Sequence, residues 1–347
     1  MKYGHFDDEL KEYVIDTPYT PLPWINYLAG DGFFSIISNT AGGYSFYRDA
    51  KLRRITRYRY NSPATDNGGR YFYITDGETT FSPAFLPSKT PLDSYKCRHG
   101  LNYTVFESSK NKILTELTCF VPQKDAMEIN LLKIRNESDQ AKKLSVYGGV
   151  EFCLWNAQDD TTNFQRNYNT GEVEIVTDKN YGAVYHKTEY RERRNHYAFF
   201  SLNAPIDGYD TDRDTFLGKF NGFDAPEAVR LGTSFNEKAS GWSPAAFLRK
   251  DVTLKQNEEI SLIYILGYVE NDDGEKWEAP NVINKKKALS MIDKYRDEKT
   301  VRRELERLKK DRVSLLDRFS VKTSDEKFDR VVNIWNQYQC LITYLMS

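Results

Sequence analysis

The side chains best suited to chemistry in this sequence fall in one stretch, Trp155 to Ile175, WNAQDDTTNFQRNYNTGEVEI. It joins two runs of strand-like alternation, one ending at Leu154 and the other resuming at Val173. Such a connection is usually short. This one carries Asn156, Asn163, Asn167, Gln158, Gln165, two aspartates and Arg166. A carboxamide both donates and accepts a hydrogen bond, as a sugar hydroxyl does. Amides and one guanidinium beside Trp155 and Phe164 would therefore suit a neutral polyhydroxy ligand. The plainer alternative is a surface excursion whose Asn and Asp side chains bond their own backbone.

A second stretch, GYSFYRDAKLRRITRYRYN, interleaves Arg48, Lys51, Arg53, Arg54, Arg57 and Arg59 with Tyr44, Phe46, Tyr47, Tyr58 and Tyr60. Basic residues among aromatics can hold single-stranded nucleic acid. The chain, however, has 49 basic against 50 acidic side chains, so neither nucleic acid nor an anionic membrane is expected as a partner. On a strand, Arg57 and Arg59 would share one face. Carboxylates across a domain or subunit interface are the expected counterparts. His5, His99, His186 and His196 are far apart and read as structural or surface residues, so no metal site is expected. No glycine-rich phosphate loop precedes a helix, and Gly42-Gly43 and Gly68-Gly69 read as turns in β context. GGYSFY and SGWSPA lack the spacing of a nucleophile elbow. No catalytic residue is assigned within these 347 residues.

The elements that must position these residues are mostly strands. From Gly32 to about Val269, β-branched and aromatic runs such as LNYTVFES, ILTELTCFV, MEINLLKIRN and KLSVYGGVEFCLW alternate with polar turns. So many strands in succession imply antiparallel sheets stacked face to face. After ENDDGEKWEAPN the period changes, and Asn284 to Arg318 reads as one helix, or two with a break near Asp297 to Thr300. Thr323 with Glu326 reads as a capping box opening another helix. Its stripe Phe328, Val331, Val332, Trp335, Tyr338, Ile342 and Leu345 runs into a bare terminus, as if lacking its cover. On that ground the chain is expected to be the front part of a larger protein, and deletion after about Arg318 to improve solubility. The start MKYGHFDDELKEYV has no apolar signal region, and no run approaches the roughly 20 apolar residues of a membrane span. Cys97, Cys119, Cys153 and Cys340 show no disulfide framework, so a reduced, cytoplasmic protein is expected.

Several of these strings together resemble the N-terminal part of the inverting phosphorylases of glycoside hydrolase family ninety-four, the cellobiose phosphorylases above all. They are YGHFDDELKEYVI with TPLPWINYL, GGYSFYRDAKLRRITRYRYN with DNGGRYFYI, EFCLWNAQDDTTNFQRNYNTGEVE, and KFDRVVNIWNQYQC. The resemblance implies a mainly β fold, a large antiparallel β-supersandwich of the galactose-mutarotase-like kind, over 1–275. Helical linker residues 276–320 would follow, and 321–347 would begin an (α/α) barrel. It implies reversible phosphorolysis of cellobiose to α-D-glucose 1-phosphate and glucose by a homodimer. Inorganic phosphate would be co-substrate, with no metal or organic cofactor. The catalytic acid, an aspartate, and the phosphate site would lie in the barrel, beyond this chain. Asn156, Asn163, Gln165 and Arg166 would line the acceptor-glucose side of the partner subunit's site. Two rival expectations are a stand-alone, non-catalytic sugar-binding or assembly module, and a phosphorylase of the same family acting on another β-glucoside.

Overall fold

The structure of the chain, a computed structural model, describes residues 2–58, 66, 68–162, 173–186, 195–239 and 244–346, with the backbone alone of Leu154 and Trp155. Two large sheets face each other. One runs, edge to edge, Gly4–Asp7, Glu12–Ile15, Ser94–Gly100, Tyr103–Lys110, Ile113–Phe120, Met127–Asn136, Glu259–Glu270, His196–Leu202, Gly182–His186 and Val173–Thr177. The other runs Gly208–Asp212, Pro244–Leu254, Lys142–Trp155, Arg54–Thr56, Gly43–Tyr47, Phe33–Ser38 and Ile25–Ala29. Within it Arg70–Thr75 also pairs with Lys142–Trp155, and Thr80–Phe81 pairs with Arg70–Thr75. The supersandwich expected from the sequence is present, and every described pairing of these strands is antiparallel.

Period-two alternation sends one set of side chains between the sheets and the other outward. In Met127–Asn136, Leu132 and Ile134 join the inter-sheet core, while Ile129 and Leu131 join a second core on the outer face. That is why runs such as HYAFFSL are apolar at almost every position. The helices cover the outer faces. Among the described residues they are α1 (Ala157–Thr162), α2 (Arg213–Leu217), α3 (Glu227–Arg230), α4 (Lys286–Lys294), α5 (Glu298–Leu316), α6 (Glu326–Arg330) and α7 (Asn336–Met346). Helices α4 and α5 press Ala288, Ile292, Val301, Leu305 and Leu308 onto the ten-stranded sheet. Helices α2 and α3 set Phe216, Leu217, Ala228 and Val229 against Tyr71, Tyr147 and Phe247 on the other sheet. In Lys142–Trp155, Gly148 leaves room for the Tyr264 ring, because a Cβ there would lie 2.3 Å from a ring carbon. Gly69, at φ +105°, lets its backbone meet Gly43, whose carbonyl oxygen would be 2.4 Å from an added Cβ.

An ion pair is enclosed between the sheets. Arg70 forks onto both carboxylate oxygens of Glu128, and neither residue reaches solvent. Ser35 donates to Glu128 Oε2, as does Ser45 at 3.1 Å, and Asn130 Nδ2 donates to Oε1 at 3.0 Å. Burial alone would push the Glu128 carboxyl up, but the Arg70 guanidinium and these donors outweigh it and hold it below the usual range.

The helical part agrees with its sequence signals in one place and departs from them in two. The break between α4 and α5 falls where expected, with the Asp297 carboxylate accepting from Thr300 N at 2.9 Å. The cap of α6, however, is Asp325, whose Oδ1 accepts from Lys327 N at 2.9 Å. Thr323 lies two residues upstream and instead donates its N–H and hydroxyl to Asp329. Nor is the terminal apolar stripe uncovered. A π-helical turn, Val331–Trp335, joins α6 to α7, and Ile334, Tyr338 and Ile342 pack on Ala29, Phe34, Phe46 and Leu101. Tyr338 Oη accepts from Asn102 N at 2.9 Å and donates to Tyr27 O at 2.9 Å. Phe328 and Val331 stay 52% and 43% exposed, so only part of the stripe is wet.

Cutting the chain after Arg318 is therefore expected to destabilise it rather than improve it. Tyr338→Phe, which leaves the buried Asn102 N–H without its acceptor, should cost about 1–3 kcal/mol in urea unfolding. An unchanged midpoint would mean that α7 does not dock. A second expectation concerns Asp210, whose Oδ1 accepts from Phe235 N (2.8 Å) and Asn236 N (3.1 Å). Its Oδ2 is buried without a partner among the described residues. Burial, against those two donors, the nearby Ser234 hydroxyl and the Arg249 charge, pushes its carboxyl up to about 7. The unfolded chain releases this proton near 3.9, so the folded state holds it over roughly pH 4–7. The resulting stability is complete below the lower value and is lost as pH rises through the upper one, by at most about 1.4 kcal/mol per pH unit. Asp210→Asn should gain stability relative to wild type between pH 5 and 8. Parallel pH profiles in urea titrations would refute this.

Candidate functional site

The strand Lys142–Trp155 points its residues 147 and 151 to the outer face of the nine-stranded sheet, opposite to Val146 and Val150, which face the inter-sheet core. Its register places Val150 against Arg70, Glu151 against Ala245 and Phe152 against Thr56. The strand ends at Thr56, Arg70, Trp155, Asp212 and Pro244 consequently lie together at one end of this sheet. The ring of Phe152 lies 5.2 Å from that of His186, where the ten-stranded sheet reaches the same end. The amide-rich segment leaves the nine-stranded sheet here, and the chain enters the ten-stranded sheet at Val173.

Its first third is not the loop expected from composition. Asn156 caps the short helix α1: its Oδ1 accepts from Asp159 N at 2.9 Å and its carbonyl from Asp160 N at 2.9 Å. Ala157 N donates to Lys51 O at 2.7 Å, fastening the helix start to the turn after Tyr47. The sequence did carry a signal, an Asn followed by Asp159 and Asp160 in the first turn, which is the pattern of a helix start. Asn163, Gln165 and Arg166, with Phe164 and Asn167, lie outside the described residues. Of the four amide or guanidinium residues singled out, the structure therefore places Asn156, half-buried and serving as a cap.

The basic and aromatic stretch resolves into contacts within the chain. Arg54 stacks over Tyr44, its Cζ 3.6 Å from the ring centre, and Arg53 pairs with Glu270 at 2.5 Å. Tyr268, stacked on Tyr47 at 4.3 Å, donates to the same Glu270 oxygen at 2.6 Å and lies 2.9 Å from His196 Nδ1. Arg57, 3% exposed, bonds Glu151 and Asp160. The carboxylates expected across an interface thus belong to the same domain, and Arg59 lies outside the described residues. Burial would lower the Arg57 guanidinium, but Glu151 and Asp160 outweigh it and raise it further above its ordinary value. Burial likewise opposes ionisation of Glu151, and Arg57 and Arg213 reverse that, holding its carboxyl below the usual range. Asp160 and Glu151 were not singled out in the sequence. A glutamate within the apolar run GGVEFCLW was the available sign of a buried partner.

His99 is a structural residue, with Nε2 3.0 Å from Trp24 O and Nδ1 3.0 Å from Thr104 Oγ1, and burial lowers its pKa to about 4. Among the described residues no group of three or more His, Cys, Asp or Glu side chains is placed to hold a metal ion. None of the four cysteines is in a disulfide. No helix among the described residues is long and apolar enough to cross a membrane.

Comparison with known proteins matches residues 11–298 to the supersandwich domain of glycosyl hydrolase 94, and residues 312–347 to the catalytic domain of the glycosyl hydrolase 94 superfamily. An N,N'-diacetylchitobiose phosphorylase of Vibrio proteolyticus is 33% identical over 98% of this chain and 40% of its own length. A solabiose phosphorylase of Paenibacillus borealis is 25% identical over 98% of this chain and 42% of its own length. A 3-O-beta-D-glucopyranosyl-beta-D-glucuronide phosphorylase of the same organism is 28% identical over 76% of this chain and 33% of its own length. The chain spans about two fifths of the length of the first two of these relatives.

Proposed function

We propose, because this chain belongs to the glycosyl hydrolase 94 family, that it is part of an inverting disaccharide phosphorylase whose substrates are cellobiose and phosphate. The observation that carries the proposal is the family match over 11–298, with relatives whose names are those of disaccharide phosphorylases. In the proposed reaction an acid protonates the glycosidic oxygen while phosphate attacks the anomeric carbon from the opposite face. Phosphate is itself an anionic nucleophile, so it needs cationic positioning rather than a carboxylate base. The products are α-D-glucose 1-phosphate and glucose, and the scheme calls for no metal or organic cofactor.

The acid and the phosphate site are proposed to lie in the part of the relatives' length that this chain does not span. So is the division of this chain into a sandwich to 275, a linker to 320 and the start of a barrel. The chain's own share is the acceptor side, where Asn163, Gln165 and Arg166 would bond glucose hydroxyls without competing for the catalytic proton. In the proposed homodimer the segment would reach the partner subunit's barrel. Asn156 serves the cap of α1, so the test rests on the residues that follow it.

The complete protein should release α-D-glucose 1-phosphate from cellobiose in a phosphate-dependent manner, and the 347-residue chain alone should not. Cleavage of N,N'-diacetylchitobiose in place of cellobiose would keep the reaction and move the specificity. Sugar binding with no phosphorolysis of either would favour a non-catalytic module. In the complete enzyme, Asn163→Ala should weaken glucose binding in the synthetic direction by about 0.5–1.5 kcal/mol, and Arg166→Ala by about 1.5–3 kcal/mol. The phosphate KM should hardly change. Unaltered glucose affinity in both variants would make the segment an ordinary surface excursion.

A further inference from the structure

Three buried charges and the half-buried Arg213 meet where the amide-rich segment leaves the sandwich, each from a different piece of the chain. Arg57 closes a fork on Asp160, with Nε 2.9 Å from Oδ2 and Nη2 2.5 Å from Oδ1. Its Nη1 lies 2.7 Å from Glu151 Oε1, and Arg213 Nη1 reaches that same oxygen at 3.1 Å. Arg57 follows the strand Arg54–Thr56, Glu151 stands within Lys142–Trp155, Asp160 belongs to α1 and Arg213 opens α2. Arg213 also pairs with the exposed Asp214 at 2.9 Å, so two guanidiniums meet three carboxylates, and the described donors of Arg57 all point at protein carboxylates. That is the chemistry of a joint, not of a ligand site.

Helix α1 depends on that joint. A six-residue helix is not stable alone in water. Asp160 is its one buried residue, so α1 has no apolar face to dock by. What fixes it are the Asn156 cap, the bond from Ala157 N to Lys51 O, and the Arg57 fork. The cap and the Lys51 bond hold the first turn; among the described side-chain contacts, the fork is the one that ties the second turn to the sheet. Asn163 begins three residues after Asp160.

We propose that Asp160 is a positioning residue for acceptor-sugar recognition: the Arg57 fork aims α1 and so fixes the point from which Asn163, Gln165 and Arg166 depart. This rests on the reading of that segment as the acceptor side. Arg213 brings the α2–α3 lobe into the same joint through Glu151, which braces Arg57 from behind.

The test is Asp160→Asn in the complete enzyme, beside Arg166→Ala and, as a destabilised control remote from the joint, Tyr338→Phe. Asp160→Asn keeps the size and one acceptor but removes the charge and the second fork oxygen. It should raise the glucose KM of synthesis about ten- to hundredfold, the scale of a small misplacement of binding groups. The phosphate KM and kcat at saturating glucose should stay close to wild type. Asp160→Glu, which restores the carboxylate, should recover part of the loss. In the 347-residue chain, Asp160→Asn should speed amide exchange in α1 while leaving the strand Met127–Asn136 protected. If Arg166→Ala raises the glucose KM and Asp160→Asn does not, the joint plays no part in positioning and this proposal falls while the acceptor reading stands. If neither raises it, both fall. If Asp160→Asn lowers kcat and phosphate affinity together with glucose affinity, or Tyr338→Phe reproduces its effect, Asp160 is merely structural and the proposal is overturned.

Discussion

A guanidinium taken out of water has to be met by carboxylates before anything else near it can be arranged. This chain encloses Arg70 between its sheets and Arg57 at one end of them, each forked onto a carboxylate. Removing one member of such a pair leaves a bare charge in a low dielectric, at a cost of about 3–5 kcal/mol. The pairs are therefore weak arguments for stability and strong ones for geometry. Arg70 can reach Glu128 only if the two sheets face each other in the observed register, with Ser35, Ser45 and Asn130 closing the remaining lone pairs. The inter-sheet core of Phe106, Leu132, Phe72 and Val150 packs around that fixed relation.

The layers follow from it. Once the inner faces are committed to each other, the apolar side chains pointing the other way need covers of their own. The helices α4 and α5 supply one for Ile129, Leu131 and Phe199. Phe216 of α2 stacks on Phe247 at 3.7 Å beneath another. The last helices supply a third, where one hydroxyl, Tyr338 Oη, is placed to answer an amide and a carbonyl that would otherwise be buried without partners. The structure is a sequence of solutions to exposed faces, each local, each hung on the two-sheet frame.

At the end of that frame, polar chemistry replaces apolar packing. The stretch read from composition as a place for sugar hydroxyls begins with an asparagine that spends its side-chain oxygen on a helix cap. The cap and the buried aspartate are scaffolding, and the amides and guanidinium proposed for recognition follow them in the sequence. A helix anchored by a charge rather than by apolar side chains can present polar groups at once on either side of its anchor, because no greasy face has to be hidden.

Much of the frame was legible in the sequence. Alternation in MEINLLKIRN and KLSVYGGVEFCLW, with polar turns between runs, determines strands and antiparallel neighbours, since both are local properties of a few residues. The helix pair with its break at Asp297 is legible for the same reason. The match of long strings carried the family. Partner choice was not legible. Arg57 meets Glu151 and Asp160 across 94 and 103 residues of chain, and Arg70 meets Glu128 across 58. Which carboxylate stands opposite a guanidinium depends on sheet register and on which face each strand turns inward, and those are decided only when the sheets close on each other. The same is true of the terminal stripe: its apolar spacing fixes a helix, but whether Tyr338 is wet or buried depends on a sheet face built 236 residues earlier, around Asn102. Local pattern determined the pieces; long-range register decided which charges and which faces meet.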